Sequence, residues 1–157
     1  MMSVWAGAAL LVCGLGIAPL ALSASQALRW ERDSLARGSA VLLAQDLAHR
    51  LHLNASAAAQ YRLDWGQQPT ASSCQDRACT RADWALADLS QWRAQVARIL
   101  PEGDAWLQAS GEGDAVRWLV LAWTSPATPV SSTIAPNPTL PVPCPNRKRC
   151  LCVVLSA

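Results

Sequence analysis

Residues 4–22 read Val4-Trp-Ala-Gly-Ala-Ala-Leu-Leu-Val-Cys-Gly-Leu-Gly-Ile-Ala-Pro-Leu-Ala-Leu22. Residues 25–54 continue as Ser25-Gln-Ala-Leu-Arg-Trp-Glu-Arg-Asp-Ser-Leu-Ala-Arg-Gly-Ser-Ala-Val-Leu-Leu-Ala-Gln-Asp-Leu-Ala-His-Arg-Leu-His-Leu-Asn54. No charged residue occurs from Met1 to Leu28, and Arg29, Glu31, Arg32 and Asp33 follow at once. A hydrocarbon layer is crossed by roughly 20 apolar residues, so the first run predicts a membrane span. No proline lies between Leu20 and Gln68, and Ala, Leu, Arg and Gln dominate, all good helix formers. Leu35, Leu43, Leu47 and Leu51, with Ala36, Ala40 and Ala44 beside them, predict an apolar face. The reading is one helix of about 50 residues, roughly 75 Å long. Residues 1–28 form its apolar half and residues 29–54 its amphipathic half. Pro19 and the Gly14/Gly16 pair are expected to kink or loosen the first half. An ordinary anchor ends at the membrane and passes into a linker, whereas this helix continues into a domain.

The rest of the chain is large enough for one modest domain. Net charge is +2 with 15% charged residues, which provides no basic stripe for nucleic acid. Residues 55–124 are expected to form the head. Tyr61, Leu63 and Trp65 alternate as in a short strand. Thr80 and Asp83 make a capping-box signal for a helix over 81–100. Leu89, Trp92, Val96 and Ile99/Leu100 lie on one face of it, and Pro101-Glu-Gly103 stops it. A hairpin is expected over 105–124, turning at Ser110–Asp114. Seven prolines between Pro126 and Pro145 rule out helix or central strand, so 125–149 reads as an extended surface loop. A last strand over 150–157 is expected to close a small antiparallel sheet.

Six cysteines suggest an oxidising compartment. Cys13 lies within the apolar run, as a packing residue. Cys74 and Cys79 share one short loop and are the first disulfide candidates. Cys144 with Cys150 is the second, and Cys144 with Cys152 stays open. Zinc is disfavoured because Cys150-Leu-Cys152 lacks the two-residue gap of a zinc knuckle and no histidine is close by in sequence. His49 and His52 have a spacing found in metal sites but no third ligand, and read as surface residues. No Gly-x-Ser-x-Gly elbow and no phosphate-cradling glycine pattern occur. No enzyme activity, metal or cofactor is expected. There are eight tryptophans and no phenylalanine. Trp92 and at least one of Trp118 and Trp123, which face opposite sides of a strand, are expected in the core. Trp30, beside Arg29 just past the apolar run, is placed as an interfacial anchor.

The helix segment Ser34–Leu51 resembles that of the PilV family, the type IV pilus modification proteins, where an alanine–leucine run ends in an Asp-Met-Ala-Glu-Arg-Met-type motif. The same family's middle segment is similar to Cys74…Ala-Cys79-Thr followed by Ala87-Asp-Leu-Ser-Gln-Trp-Arg-Ala-Gln-Val-Ala-Arg-Ile-Leu-Pro-Glu-Gly103. Val116–Trp123 resembles the strand after it. The resemblance covers roughly residues 4–124. It implies a type IV pilin-like α+β fold: a long N-terminal helix on a small antiparallel sheet, with one short extra helix. It also implies a non-enzymatic minor pilin anchored in the bacterial inner membrane, with its head in the periplasm and then on the pilus. The implied partners are other minor and major pilins, the inner-membrane assembly platform and the lipid bilayer. Leu10, Leu11, Val12, Leu15, Ile17 and Leu20 are the side chains expected to bury against neighbouring helices.

Two features depart from that family. Members carry a basic leader, cleaved after a glycine, and a Gly-Phe-Thr-Leu-Ile-Glu-type motif. Here Trp5 stands where the motif's glutamate falls. The proline-rich stretch at 126–145 has no counterpart. The alternatives are a type II secretion pseudopilin, a signal-anchored periplasmic protein that does not polymerise, and a secreted protein cleaved near Ala24.

Overall fold

The computed structural model describes residues 2–70, 78–111, 116–125 and 140–156, with 2–24 described as helical backbone alone. Helix α1 (Met2–Leu53) has 52 residues and continues across Gly14, Gly16 and Pro19. A proline inside a helix removes one backbone hydrogen bond; here that loss does not end the helix. The buried stripe in its second half is Ala40, Leu43, Ala44, Leu47 and Leu51, with Ala36 packed at its edge. Leu35 does not belong to it and is 65% exposed. Each residue turns the helix by about 100°, so the step from Ala36 back to Leu35 leaves the core face. The expected fours hold for Leu43, Leu47 and Leu51 and for Ala36, Ala40 and Ala44, two rows set three residues apart.

A short 3-10 helix (Ala55–Gln60) leads to Tyr61, which is buried. The strand expected over Tyr61–Trp65 reduces to one bridge, Leu63 with Leu107. Helix α2 (Arg81–Ile99) starts at the predicted capping box: the Asp83 N–H donates to Thr80 Oγ1 at 3.2 Å, and the Thr80 N–H donates to Asp83 Oδ2 at 2.9 Å. Its buried face is Ala85, Leu89, Trp92, Arg93 and Val96. Leu100 just beyond it is buried, whereas Ile99 is exposed. The turn that follows places Glu102 at φ 48.

Three strands, β1 (Asp104–Ala109), β2 (Val116–Thr124) and β3 (Lys148–Ser156), form an antiparallel sheet in that order. β3 starts two residues earlier than expected. Leu107 pairs with Leu119, and Leu119 with Val153. Side chains alternate across a strand, so Arg117, Leu119, Leu121 and Trp123 share the face that holds the core. Val120 and Ala122 on the opposite face are also buried. The expected turn at Ser110–Asp114 lies largely outside the described residues, as does the proline-rich stretch up to residue 139. Residues 140–147 are irregular and turn into β3, where the Lys148 N–H donates to the Pro145 carbonyl at 3.1 Å. The architecture is α+β and type IV pilin-like: a long N-terminal helix, a shorter helix and a small antiparallel sheet.

Candidate functional site

The second half of α1 is tied to the head at three heights. Nearest the amino-terminal half of α1, Arg149 Nε on β3 lies 3.3 Å from Asp33 Oδ1. Ten residues on, the fully buried Trp92 indole N–H donates to the Leu43 carbonyl at 2.8 Å. At the far end, Arg50 Nε donates to Asp46 Oδ2 at 3.0 Å, and one of its terminal nitrogens to Asp88 Oδ1 at 3.4 Å and Gln91 Oε1 at 3.2 Å. The Tyr61 hydroxyl donates to Asp88 Oδ2 at 3.0 Å. Burial, then the Asp88 carboxylate, pushes the Tyr61 pKa up to about 12. Asn54 Nδ2 donates to the Arg81 carbonyl at 2.9 Å, holding the start of α2 against the end of α1.

Two buried arginines organise the head, and the hydrophobic pattern conceals both. Arg93 donates to the Gly103 carbonyl at 3.2 Å and to Asp104 Oδ1 at 2.8 Å, fixing the turn between α2 and β1. Arg117 donates to the Tyr61 carbonyl at 3.1 Å. Both were detectable by position. Arg93 follows Leu89 by four residues and precedes Val96 by three. Arg117 alternates with Leu119, Leu121 and Trp123. A charge on a core face must carry its partners in with it.

The opposite side of α1 is uncovered. Leu28, Leu35 and Leu42 stand seven residues apart and are 55%, 65% and 67% exposed. Two helical turns separate each from the next, so they form one stripe that leads on from the apolar run of residues 4–22. A Cβ on Gly38 would meet nothing within 4 Å, so a second helix has room to approach there. At its upper end the stripe enters a groove of about 240 Å³ between α1 and α2, lined by Ser39, Leu42, Leu43, Asp46, Gln95 and Ile99. Burying a leucine of this kind is worth on the order of 1–2 kcal/mol. The surface offers apolar area and little acid–base chemistry, because the nearby carboxylates of Asp46 and Asp88 are engaged by Arg50.

The predicted site residues fall as follows. Trp5, Leu10, Leu11, Val12, Cys13, Leu15, Ile17 and Leu20 lie in the part described as backbone alone. Among the described residues no helix is long and apolar enough to cross a membrane, and the run 4–22 is outside that set of side chains. Trp30 and Arg29 are exposed, as are His49 and His52. Trp92 and Trp123 are buried and Trp118 is half-buried. Cys79 is disulfide-bonded, while Cys74, its expected partner, lies outside the described residues. Cys144 is joined to Cys150, with a Cα–Cα distance of 6.0 Å.

Comparison with known families bears on the segment that carries these ties. Residues 21–90 match the Tt1218-like family, type IV pilin Tt1218. The matched stretch contains the amphipathic half of α1, the 3-10 helix and the first half of α2, together with Asp33, Leu43, Arg50, Tyr61 and Asp88. It supports a type IV pilin, a structural and non-enzymatic kind of protein that associates with other pilins in a pilus. No curated protein and no solved structure matched the chain significantly.

Proposed function

We propose that the chain is a minor pilin of the PilV kind, anchored in the inner membrane by residues 4–22 and drawn from there into a type IV pilus. One observation carries this reading. A single helix is apolar in its first half and tied to the head along its second, while the stripe of Leu28, Leu35 and Leu42 remains uncovered. In the bilayer the helix holds the subunit in reserve with its head in the periplasm. On extraction, Leu10, Leu11, Val12, Leu15, Ile17 and Leu20 bury against equivalent helices, and the stripe extends that contact toward the head. Apolar burial, at roughly 25 cal/mol per Å², drives the association. The resemblance of residues 74–103 to the PilV middle segment supports the minor rather than the major role. Trp5, in place of a glutamate, removes a charge partner for a neighbouring subunit's amino terminus. That counts against ordinary processing and incorporation, which the amino-terminal measurement below tests.

The test is to shear surface filaments from cells and probe them for this chain. Its presence at low stoichiometry is expected. Its repeated absence from abundant pili sinks the reading, and mass spectrometry of the native amino terminus separates an anchored chain from one cleaved near Ala24. A triple Leu28→Glu, Leu35→Glu, Leu42→Glu variant is expected to keep a folded head and lose filament incorporation at least tenfold.

A further inference from the structure

Three cysteines lie in or just before the first half of β3. Cys144, in the segment entering the strand, is bonded to Cys150, and Cys152 is two residues further on. Among the described residues Cys152 alone carries a free thiol, and it is half-buried. Alternation places Cys150 and Cys152 on the same face, opposite Ala122 and Val120 respectively. A shift of two residues therefore brings Cys152 to the place Cys150 now holds without turning any side chain to the other face. On the core face the shift costs one place, because Leu155, only 4% exposed, leaves its position opposite Arg117. Leu151, Val153 and Leu155, now opposite Leu121, Leu119 and Arg117, would come opposite Trp123, Leu121 and Leu119. Every one of those places still receives an aliphatic side chain.

We propose that Cys144 exchanges its partner between Cys150 and Cys152, and that the two disulfides lock β3 in registers two residues apart. The step is a thiol–disulfide exchange. The Cys152 thiolate attacks Cys144 Sγ, the Cys144–Cys150 bond breaks, and Cys150 leaves as the thiolate and takes up a proton. One disulfide and one thiol are present before and after, so no oxidant is consumed. The present register is favoured by what the shift gives up: the pairings of Val116 with Ser156 and Arg117 with Leu155, the Arg149–Asp33 ion pair, and the bond from Lys148 Nζ to the Glu102 carbonyl at 2.7 Å. The closed loop grows by two residues, a small entropic change. Burial raises the Cys152 thiol pKa, so the thiolate is scarce near neutral pH and interchange is slow. The device would switch the presentation of residues 144–149 at the sheet edge, whether or not the chain enters a filament.

The experiment equilibrates the full chain in a mildly alkaline glutathione redox buffer, quenches with acid, and maps the disulfides. Trypsin cuts at Arg147, Lys148 and Arg149 and leaves Cys150 and Cys152 in one peptide, so fragmentation between them reads the isomers. The Cys144–Cys152 form is expected in on the order of 1–10% of chains. In Cys150→Ser it is expected in nearly all chains, with the cross-strand NOEs of Val120 moved from Cys152 to Val154. A wild-type chain with less than about one part in a thousand of the second isomer overturns the exchange, even if the variant does not fold. A Cys144–Cys152 bond with the Val120 NOEs unmoved overturns the change of register.

Discussion

Replacing Gly103 by alanine is the sharpest test of how the head is packed. A Cβ built there lies 2.4 Å from the Val96 carbonyl oxygen, 2.8 Å from Leu100 Cβ and 3.0 Å from the Leu100 carbonyl oxygen. Two of the three atoms are backbone, and the Val96 carbonyl already accepts the Leu100 N–H at 3.0 Å. Relief therefore requires the last turn of α2 or the start of β1 to move by about 1 Å. Overpacking of this kind costs about 1–3 kcal/mol. The same movement disturbs the Arg93 bond to the Gly103 carbonyl, a further cost of about 1 kcal/mol. Reduced freedom of the unfolded chain returns about 0.4–1 kcal/mol. The net loss is about 1–3.6 kcal/mol, which lowers Tm by about 4–14 °C at roughly 4 °C per kcal/mol. Gly38→Ala is the matched control. It sits on α1 with nothing within 4 Å of the added Cβ, and helix propensity predicts a gain of about 0.5–1 kcal/mol. Thermal unfolding followed by circular dichroism compares the two. If Gly103→Ala melts within about 2 °C of the parent, the packing described at the α2–β1 turn is wrong.

Tyr61 is the chain's single tyrosine, so ultraviolet titration of tyrosinate reports on it alone. Its folded pKa is raised to about 12 from 10.0, so the stabilisation is complete below about pH 10 and is lost as pH climbs toward 12. Denaturation midpoints should fall over that range in the parent by the equivalent of about 2–3 kcal/mol, and Tyr61→Phe should flatten the fall. Trp92→Phe keeps most of the buried volume and removes the bond to the Leu43 carbonyl, with an expected loss of about 1 kcal/mol. Trp92→Ala should cost about 3–5 kcal/mol by urea denaturation; a cost near that of phenylalanine would show that the site collapses. Asp33→Asn should cost no more than about 1 kcal/mol, because Arg149 is over a third exposed, and the effect should shrink in high salt.

The frame of the molecule was readable from residue types because each element carries a physical signal. The apolar run and uninterrupted helix formers read directly as α1. Thr80 and Asp83 marked the start of α2, and Val116–Trp123 declared β2. The errors lie where one residue of phase decides. The leucine spacing puts Leu35 in line with Leu43, Leu47 and Leu51, whereas its neighbour Ala36 is the one that packs. Ile99 and Leu100 divide the same way, the second being buried. The helix–head ties were less legible. Arg50, Asp88 and Tyr61 are far apart in the chain, and only folding brings a guanidinium, a carboxylate and a phenol together. Arg93 and Arg117 were hidden by the habit of reading charge as surface, although their spacing put them inside.

The three ties between α1 and the head have a mechanical consequence. They span Asp33 to Arg50, about 26 Å along the helix axis at 1.5 Å per residue. A pull on the apolar end, directed along α1, loads an ion pair, an indole bond and a guanidinium cluster in shear and in parallel. The same force applied across the axis would open them in series, Asp33–Arg149 first. The head is thus built to resist tension along the rod far better than bending away from it, a directional strength set by where three side chains sit rather than by how strongly each one binds.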